Sequence, residues 1–214
     1  MKENSGKGKK QWILSSTPCL LPLFVSAMVY QKLPEQMAVH WNMAGEANRF
    51  VPKAIGAWAV PVLLLGLHLA VVIRAEHGFK EGQAARMTKL LCLWAVPAVS
   101  VLTVPASLLL AAGYQLEINR IVLSVIGVLL VVTGNYLPKN MQNSVIGYKL
   151  PWTLGDADNW NKTHRFAGKA WIAAGFLLLV FAMTGIQAGW YLLGICLAVL
   201  LLPAGYSFFI GSSK

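Results

Sequence analysis

Apolar residues gather along this chain in six stretches: about residues 12–31, 54–73, 90–112, 119–137, 170–186 and 190–210. Each is long enough to cross the roughly 30 Å hydrocarbon core of a bilayer as a helix, which takes about 20 residues. Open strands would leave backbone groups unpaired in hydrocarbon, so the pattern predicts helices. The expected fold class is all-α: a polytopic membrane protein with six transmembrane helices and a single membrane domain over residues 1–214. Residues 1–112 carry the first three spans and residues 119–214 the last three. Pro18, Pro22, Pro61, Pro97, Pro105 and Pro203 fall inside spans and are expected to kink them. Neighbouring helices can re-satisfy the backbone groups that proline frees. The opening MKENSGKGKK before an apolar run imitates a secretory signal, and Val25-Ser26-Ala27 resembles a cleavage site. That run continues to about Tyr30, longer than a signal core, so it is taken as the first span.

Two connections are longer and more specific than a membrane protein needs. The first, YQKLPEQMAVHWNMAGEANRFVPK, runs from Tyr30 to Lys53. Pro34 and Gly45 fit turns. His40, Trp41 and Asn42 form a compact polar and aromatic group. Glu35, His40 and Glu46 supply metal-ligating chemistry, but their spacing matches no ligand motif and no HExxH is present, so no metal is expected. His40 and Asn42 then either hydrogen-bond the loop backbone or meet an extracellular ligand.

The second connection, GNYLPKNMQNSVIGYKLPWTLGDADNWNKTHRFAGKAW, runs from Gly134 to Trp171. Leu150-Pro151 marks an extended or turning segment, because a residue before proline avoids the helical region. Asp156, three residues after Thr153, fits a helix N-cap, so a helix is expected from near Ala157 into the fifth span. On it Trp160, His164, Ala167 and Trp171 make one stripe, and Arg165 and Lys169 make a line one position on. An interfacial helix, with Trp at the headgroups and cations near anionic lipid, accounts for that much. It does not account for Asn135, Asn143, Gly147, Pro151, Thr163 and His164.

Charge then fixes the expected orientation. Of the 18 Lys and Arg, 14 lie in the N-terminal tail, the 74–89 loop, the 138–169 loop and the C-terminal tail. The other four are Lys32, Arg49, Lys53 and Arg120. The positive-inside rule places both termini in the cytoplasm, the 32–53 loop outside and the 138–169 loop inside. The net charge of +10 is thus topology signalling rather than a nucleic-acid surface, and no direct nucleic-acid partner is expected. Only 12% of residues are charged, 57% are hydrophobic and the mean hydropathy is +0.58; soluble domains are about 25% charged. Cys19, Cys92 and Cys196 lie in apolar runs without paired spacing and read as inert packing groups. Trp12, Trp58, Trp94, Trp171 and Trp190 sit near the starts of spans, where indoles favour the headgroup layer.

Three echoes recur in order. LPEQM at Leu33–Met37 matches LPKNM at Leu137–Met141; Ala57-Trp58 matches Ala170-Trp171; LLLAAGY at Leu108–Tyr114 matches LLLPAGY at Leu200–Tyr206. Two three-span halves must run in opposite senses, so the echoes fit a 3+3 inverted-topology repeat. Chance recurrence of apolar runs explains them equally well.

GNYLPKNMQNSVIGYKLPWTLGDADNWNKTHRFAGKAW resembles the signature of the SdpI family, immunity proteins against a secreted peptide toxin, and HWNMAGEANRF resembles the HWN-x-x-G segment of the DUF1648 domain. Two positions depart from the pattern: Asn48 stands where the family usually has Asp, and Lys149 where it usually has Arg. Lysine keeps the charge but loses the planar fork for bidentate contacts. The resemblance implies a multi-pass protein of the bacterial plasma membrane that protects against an antimicrobial peptide toxin and draws a cytoplasmic transcriptional repressor to the membrane. On that reading the extracellular ligand meets His40, Trp41, Asn42, Gly45, Glu46 and Arg49. The cytoplasmic signature and partner surface comprises Asn135, Pro138, Asn143, Gly147, Lys149, Pro151, Trp152, Trp160, Thr163, His164 and Arg165. No cofactor and no catalytic residues are expected; membrane lipid is the other partner. The alternatives are a small-molecule transporter or channel, for which His68 is the main ionisable group within a span, and a membrane enzyme using His164, Asp156 and Asp158.

Overall fold

The computed structural model describes residues 11–42, 47–78, 86–186 and 189–212. Six long apolar helices match the predicted spans: α1 (Gln11–Lys32), α2 (Lys53–Gly78), α3 (Arg86–Ala111), α4 (Ile118–Tyr136), α6 (Ala157–Thr184) and α7 (Gly189–Ser212). A short helix α5 (Pro151–Gly155) precedes α6. Each span has a window of mean hydropathy between 1.7 and 2.2, of which only 22–33% is buried inside the protein. The rest of each apolar face is open, including Ile13, Leu63, Met183 and Phe209. A soluble protein does not leave that much apolar surface uncovered, and the chain is a multi-pass membrane protein.

One feature corrects the expected outline. The fold is not purely α: the 33–52 region holds a two-stranded antiparallel hairpin, β1 (Gln36–Trp41) and β2 (Ala47–Pro52). The fifth spanning helix starts at Ala157, as the Asp156 cap predicts, so its first turns belong to the signature connection. Within α1 the backbone tightens to a 3-10 turn at Thr17–Leu20, where Pro18 removes a donor. The other proline-bearing helices continue through Pro61, Pro97, Pro105 and Pro203.

The described residues form two compact units. The first contains α1, the hairpin, α2 to Ile73, and residues 92–122. Its α1 face is a stripe of small residues: Ser15, Cys19 and Ser26 are fully buried, with Val29 and Leu33 continuing the line. Pro61 has no N–H for the carbonyl of Ala57, four residues back. Ser26 Oγ donates to that oxygen at 2.7 Å. Buried His68 sits on the same seam, its Nε2 3.1 Å from Ser16 Oγ and 3.4 Å from Ser15 Oγ. Beneath the hairpin, Met37 packs with Val29, Leu33, Ala57, Val104 and Leu108.

The second unit contains residues 74–91 and 123–214. Here α4 and α6 approach backbone to backbone at two glycine pairs. A Cβ on Gly134 would lie 2.8 Å from the carbonyl of Gly168, and one on Gly127 would lie 2.9 Å from that of Gly175. The pairs are spaced alike on both helices and run antiparallel, so both contacts sit on one crossing seam. Farther along, Leu123, Leu178 and Ala182 form an apolar core with Phe181, Leu192 and Ile195 packed on it.

Candidate functional site

The hairpin exposes its chemistry. His40 faces Arg49 across the strands, and both side chains are exposed. His40 Nδ1 lies 2.6 Å from Asn48 Oδ1. An amide oxygen only accepts, so Nδ1 is the donor of that bond. The register shifts on both sides of His40, and such bulges re-aim side chains. Phe50 and Val39 are exposed beside the polar pair. The base of the hairpin is fixed: Lys53 Nζ meets Glu35 Oε1 at 2.7 Å, the Lys53 N–H donates to the Glu35 carbonyl, and the ammonium lies over the Tyr30 ring. Met37 presses on Gly56, where an added Cβ would lie 2.9 Å from its sulfur. Glu35 is thereby engaged at the base, away from the metal-ligand role its composition allowed. Asn42 is half-buried. Gly45 and Glu46 lie outside the described residues, as does the Trp41 side chain.

The signature connection does the opposite and turns its chemistry inward. Trp160 is fully buried, and its indole N–H donates to the carbonyl of Asn140 at 3.0 Å. The Trp160 ring stacks on His164 at 4.0 Å between centroids. His164 is 1% exposed, with Nδ1 2.8 Å from the Trp160 carbonyl and Nε2 3.1 Å from the Tyr148 N–H. A carbonyl only accepts and an amide N–H only donates, so His164 is a neutral imidazole with its proton on Nδ1. Both ring nitrogens are used by the fold.

That arrangement depends on Gly147. Its φ of 124° is open to glycine but strained for other residues, and a Cβ there would overlap His164 Nε2 and sit 3.1 Å from the Trp160 ring. Asn143 closes the preceding turn: its Oδ1 accepts from the N–H groups of Val145 and Ile146, and its Nδ2 donates to the Met141 carbonyl. Buried Thr153 accepts from the Leu150 N–H and donates to the Tyr148 carbonyl at 2.5 Å. Gln142 donates to the carbonyls of Thr153 and Leu154. Asp156 caps α6 by accepting from the N–H groups of Asp158 and Asn159, as its spacing predicted.

Two further threads tie this connection to α7. Pro203 leaves the Val199 carbonyl without its helical donor. The Tyr148 hydroxyl and the Trp171 indole N–H, the latter at 3.1 Å, both donate to it. Burial pushes the Tyr148 phenol above its ordinary pKa, so it stays a donor. The second thread starts at Trp152, whose indole donates to Ser207 Oγ at 2.9 Å. Asn159 Nδ2 donates to the Ser207 carbonyl while its Oδ1 accepts from Thr163.

Of the predicted signature residues, then, Asn143, Gly147, Trp160, Thr163 and His164 come together inside. Asn135, Lys149, Pro151 and Arg165 stay exposed, Trp152 is half-buried, and the Pro138 ring rests against Gly168. Lys149 reaches back to the carbonyls of Ser144 and Val145, and Arg74 donates to Ser144 at 2.9 Å. The acid–base set of the enzyme alternative does not assemble: His164 has no free nitrogen, Asp156 caps its helix, and Asp158 pairs with Lys162 at 2.8 Å. Sequence reasoning did not assign Asn140, Gln142, Tyr148, Asn159 or Ser207. One signal for Tyr148 was available, since a proline within a span demands an outside donor for the carbonyl four residues earlier.

Comparison with known proteins agrees with the two resemblances. Residues 139–207 match the SdpI/YfhL protein family and residues 18–65 match a domain of unknown function, DUF1648. The chain is 27% identical over 197 residues to the immunity protein SdpI of Bacillus subtilis (strain 168), covering 90% of each chain. No solved structure gives a significant match.

Proposed function

We propose that this chain is an immunity protein of the bacterial plasma membrane, protecting its host from a secreted antimicrobial peptide. The observation that carries the reading is the similarity to an immunity protein along 90% of both chains. In this reading the hairpin is the toxin-facing element. It presents His40 and Arg49 as polar contacts beside the apolar Phe50 and Val39, on a base held rigid by Lys53–Glu35 and Met37. A preformed, mixed polar and apolar surface suits an amphipathic peptide, because little ordering cost is left at binding.

The finer reading adds orientation and signalling. Both termini lie in the cytoplasm, the hairpin faces outside, and the signature connection faces a cytoplasmic repressor. Toxin binding biases a two-state packing of the spans. The side chains available to a partner are then Asn135, Lys149, Pro151 and Trp152, while Trp160, Thr163 and His164 hold the surface in shape. The 3+3 inverted repeat belongs to the same reading: its two three-span halves would run in opposite senses.

The direct experiment expresses the chain in a bacterium sensitive to peptide toxins of this class and measures survival. Protection is expected, with loss of protection in His40→Ala/Arg49→Ala. Equal killing with and without the chain, across a panel of such toxins, would remove the immunity reading.

A further inference from the structure

One face of α6 is used neither by the polar knot nor by packing. Trp160, His164, Ala167 and Gly168 point inward and are buried. Arg165 and Lys169 lie one helical turn apart on the outer side, both exposed, and neither forms an ion pair or hydrogen bond with the described residues. The neighbouring cation differs, because Lys162 is already paired with Asp158. Below Lys169 the same face continues through Ala173, Phe176 and Val180, at spacings of about 4, 3 and 4 residues, and all three are exposed. Phe166 flanks the cations, stacked on Tyr206 of α7 with centroids 4.9 Å apart.

Depth makes this arrangement specific. The apolar part of α6, residues 170–184, is roughly 22 Å long at 1.5 Å per residue, against a hydrocarbon core of about 30 Å. The turn holding Arg165 and Lys169 is therefore drawn to the hydrocarbon boundary. Cations at that depth are costly without an anion or a route to water. A headgroup phosphate fits the gap: the Arg guanidinium offers a planar fork to two phosphate oxygens, and Lys adds a point charge. A free phosphate supplies the same anion but leaves the apolar stripe beneath it uncovered.

We propose that Arg165 and Lys169 form a binding site for the phosphate of an anionic glycerophospholipid, whose acyl chains lie along Ala173, Phe176 and Val180. The site is independent of the immunity reading. The test reconstitutes the full chain in nanodiscs of phosphatidylcholine with a minority of phosphatidylglycerol and counts the lipids retained by native mass spectrometry. The wild type should retain phosphatidylglycerol well above its share of the mixture. Arg165→Gln/Lys169→Gln should lose about thirtyfold in that preference, from roughly fivefold per cation. Lys162→Gln should keep it, and Arg165→Lys should recover part of it. Both altered side chains are exposed, so in phosphatidylcholine alone the double variant should show an unchanged melting profile, which separates lost lipid from lost fold. Equal retention by wild type and double variant overturns the proposal. So does displacement of phosphatidylglycerol by millimolar inorganic phosphate, which would make the anion alone the ligand. Preferential capture of an acidic polypeptide at these residues, with lipid retention unchanged, would also overturn it.

Discussion

The hairpin and the signature connection draw on the same residue types and use them in opposite ways. In the hairpin, His40 is exposed and holds one partner, Asn48. In the signature connection, His164 is 1% exposed and holds two partners while stacked on Trp160. The hairpin's asparagine bonds a side chain at the surface; Asn143 satisfies three backbone groups in the interior. A buried polar group is costly unless every donor and acceptor is met, and a fully met network rigidifies the fold around it. Polar residues of the inner connection thus build a frame. Those of the hairpin remain available for contact.

If that contrast is right, breaking the inner connection should cost stability and breaking the hairpin should not. The largest effect is expected at Gly147. An alanine there is strained at a φ of 124° and its Cβ overlaps His164 Nε2. Gly147→Ala should lower stability by at least about 3 kcal/mol, read as a collapse of the melting temperature in detergent. Adding His164→Ala should recover part of the loss by removing the overlapped ring. A melting curve unchanged by the single substitution would show that the loop does not approach His164 this closely.

Trp160→Phe comes next. Phenylalanine keeps a ring over His164 but leaves the Asn140 carbonyl without its buried donor. An unmet buried polar group costs about 1–3 kcal/mol, and the same melting assay should show a loss in that range. Tyr148→Phe should cost less, about 1 kcal/mol, because Trp171 still donates to the Val199 carbonyl. Combining it with Pro203→Ala is informative: restoring the helical N–H should erase much of the Tyr148 penalty. Additive losses instead would show that Tyr148 acts elsewhere.

The two regions also differed in how much the sequence disclosed. The spans were legible because about 20 apolar residues leave little choice in a bilayer. Asp156 was legible as a cap, since its carboxylate sits where the first N–H groups of α6 need an acceptor. The stripe of Trp160, His164 and Ala167 was legible from helical periodicity, but its direction was not. A histidine and a tryptophan on one face suit a partner surface as well as an interior until the approach of Gly147 decides between them. The hairpin was hidden for another reason. The register shifts around His40 break the two-residue alternation that marks a strand. The segment therefore read as loop. The glycine pairs of α4 and α6 went unnoticed because their matching seven-residue spacing gains meaning only once those two helices are neighbours.

The smallest effect on stability, and the sharpest test of the contrast, belongs to His40. Its side chain is exposed and its bond to Asn48 closes only a local pair across the hairpin. The core under the hairpin is held by Met37 and Leu33, which His40→Ala leaves in place. The substitution should therefore shift stability by no more than about 0.5 kcal/mol, the usual range for such surface changes. Loss of a recognition contact has no such ceiling, because exposed polar anchors act on affinity rather than on folding. His40→Ala should melt like the wild type while survival under toxin falls. The mirror image is expected of a mild inner variant such as Tyr148→Phe: lower melting temperature, with protection retained wherever the protein is still folded. If His40→Ala destabilised the chain as much as Trp160→Phe, the hairpin would be part of the frame, and the division of labour between the two connections would fail.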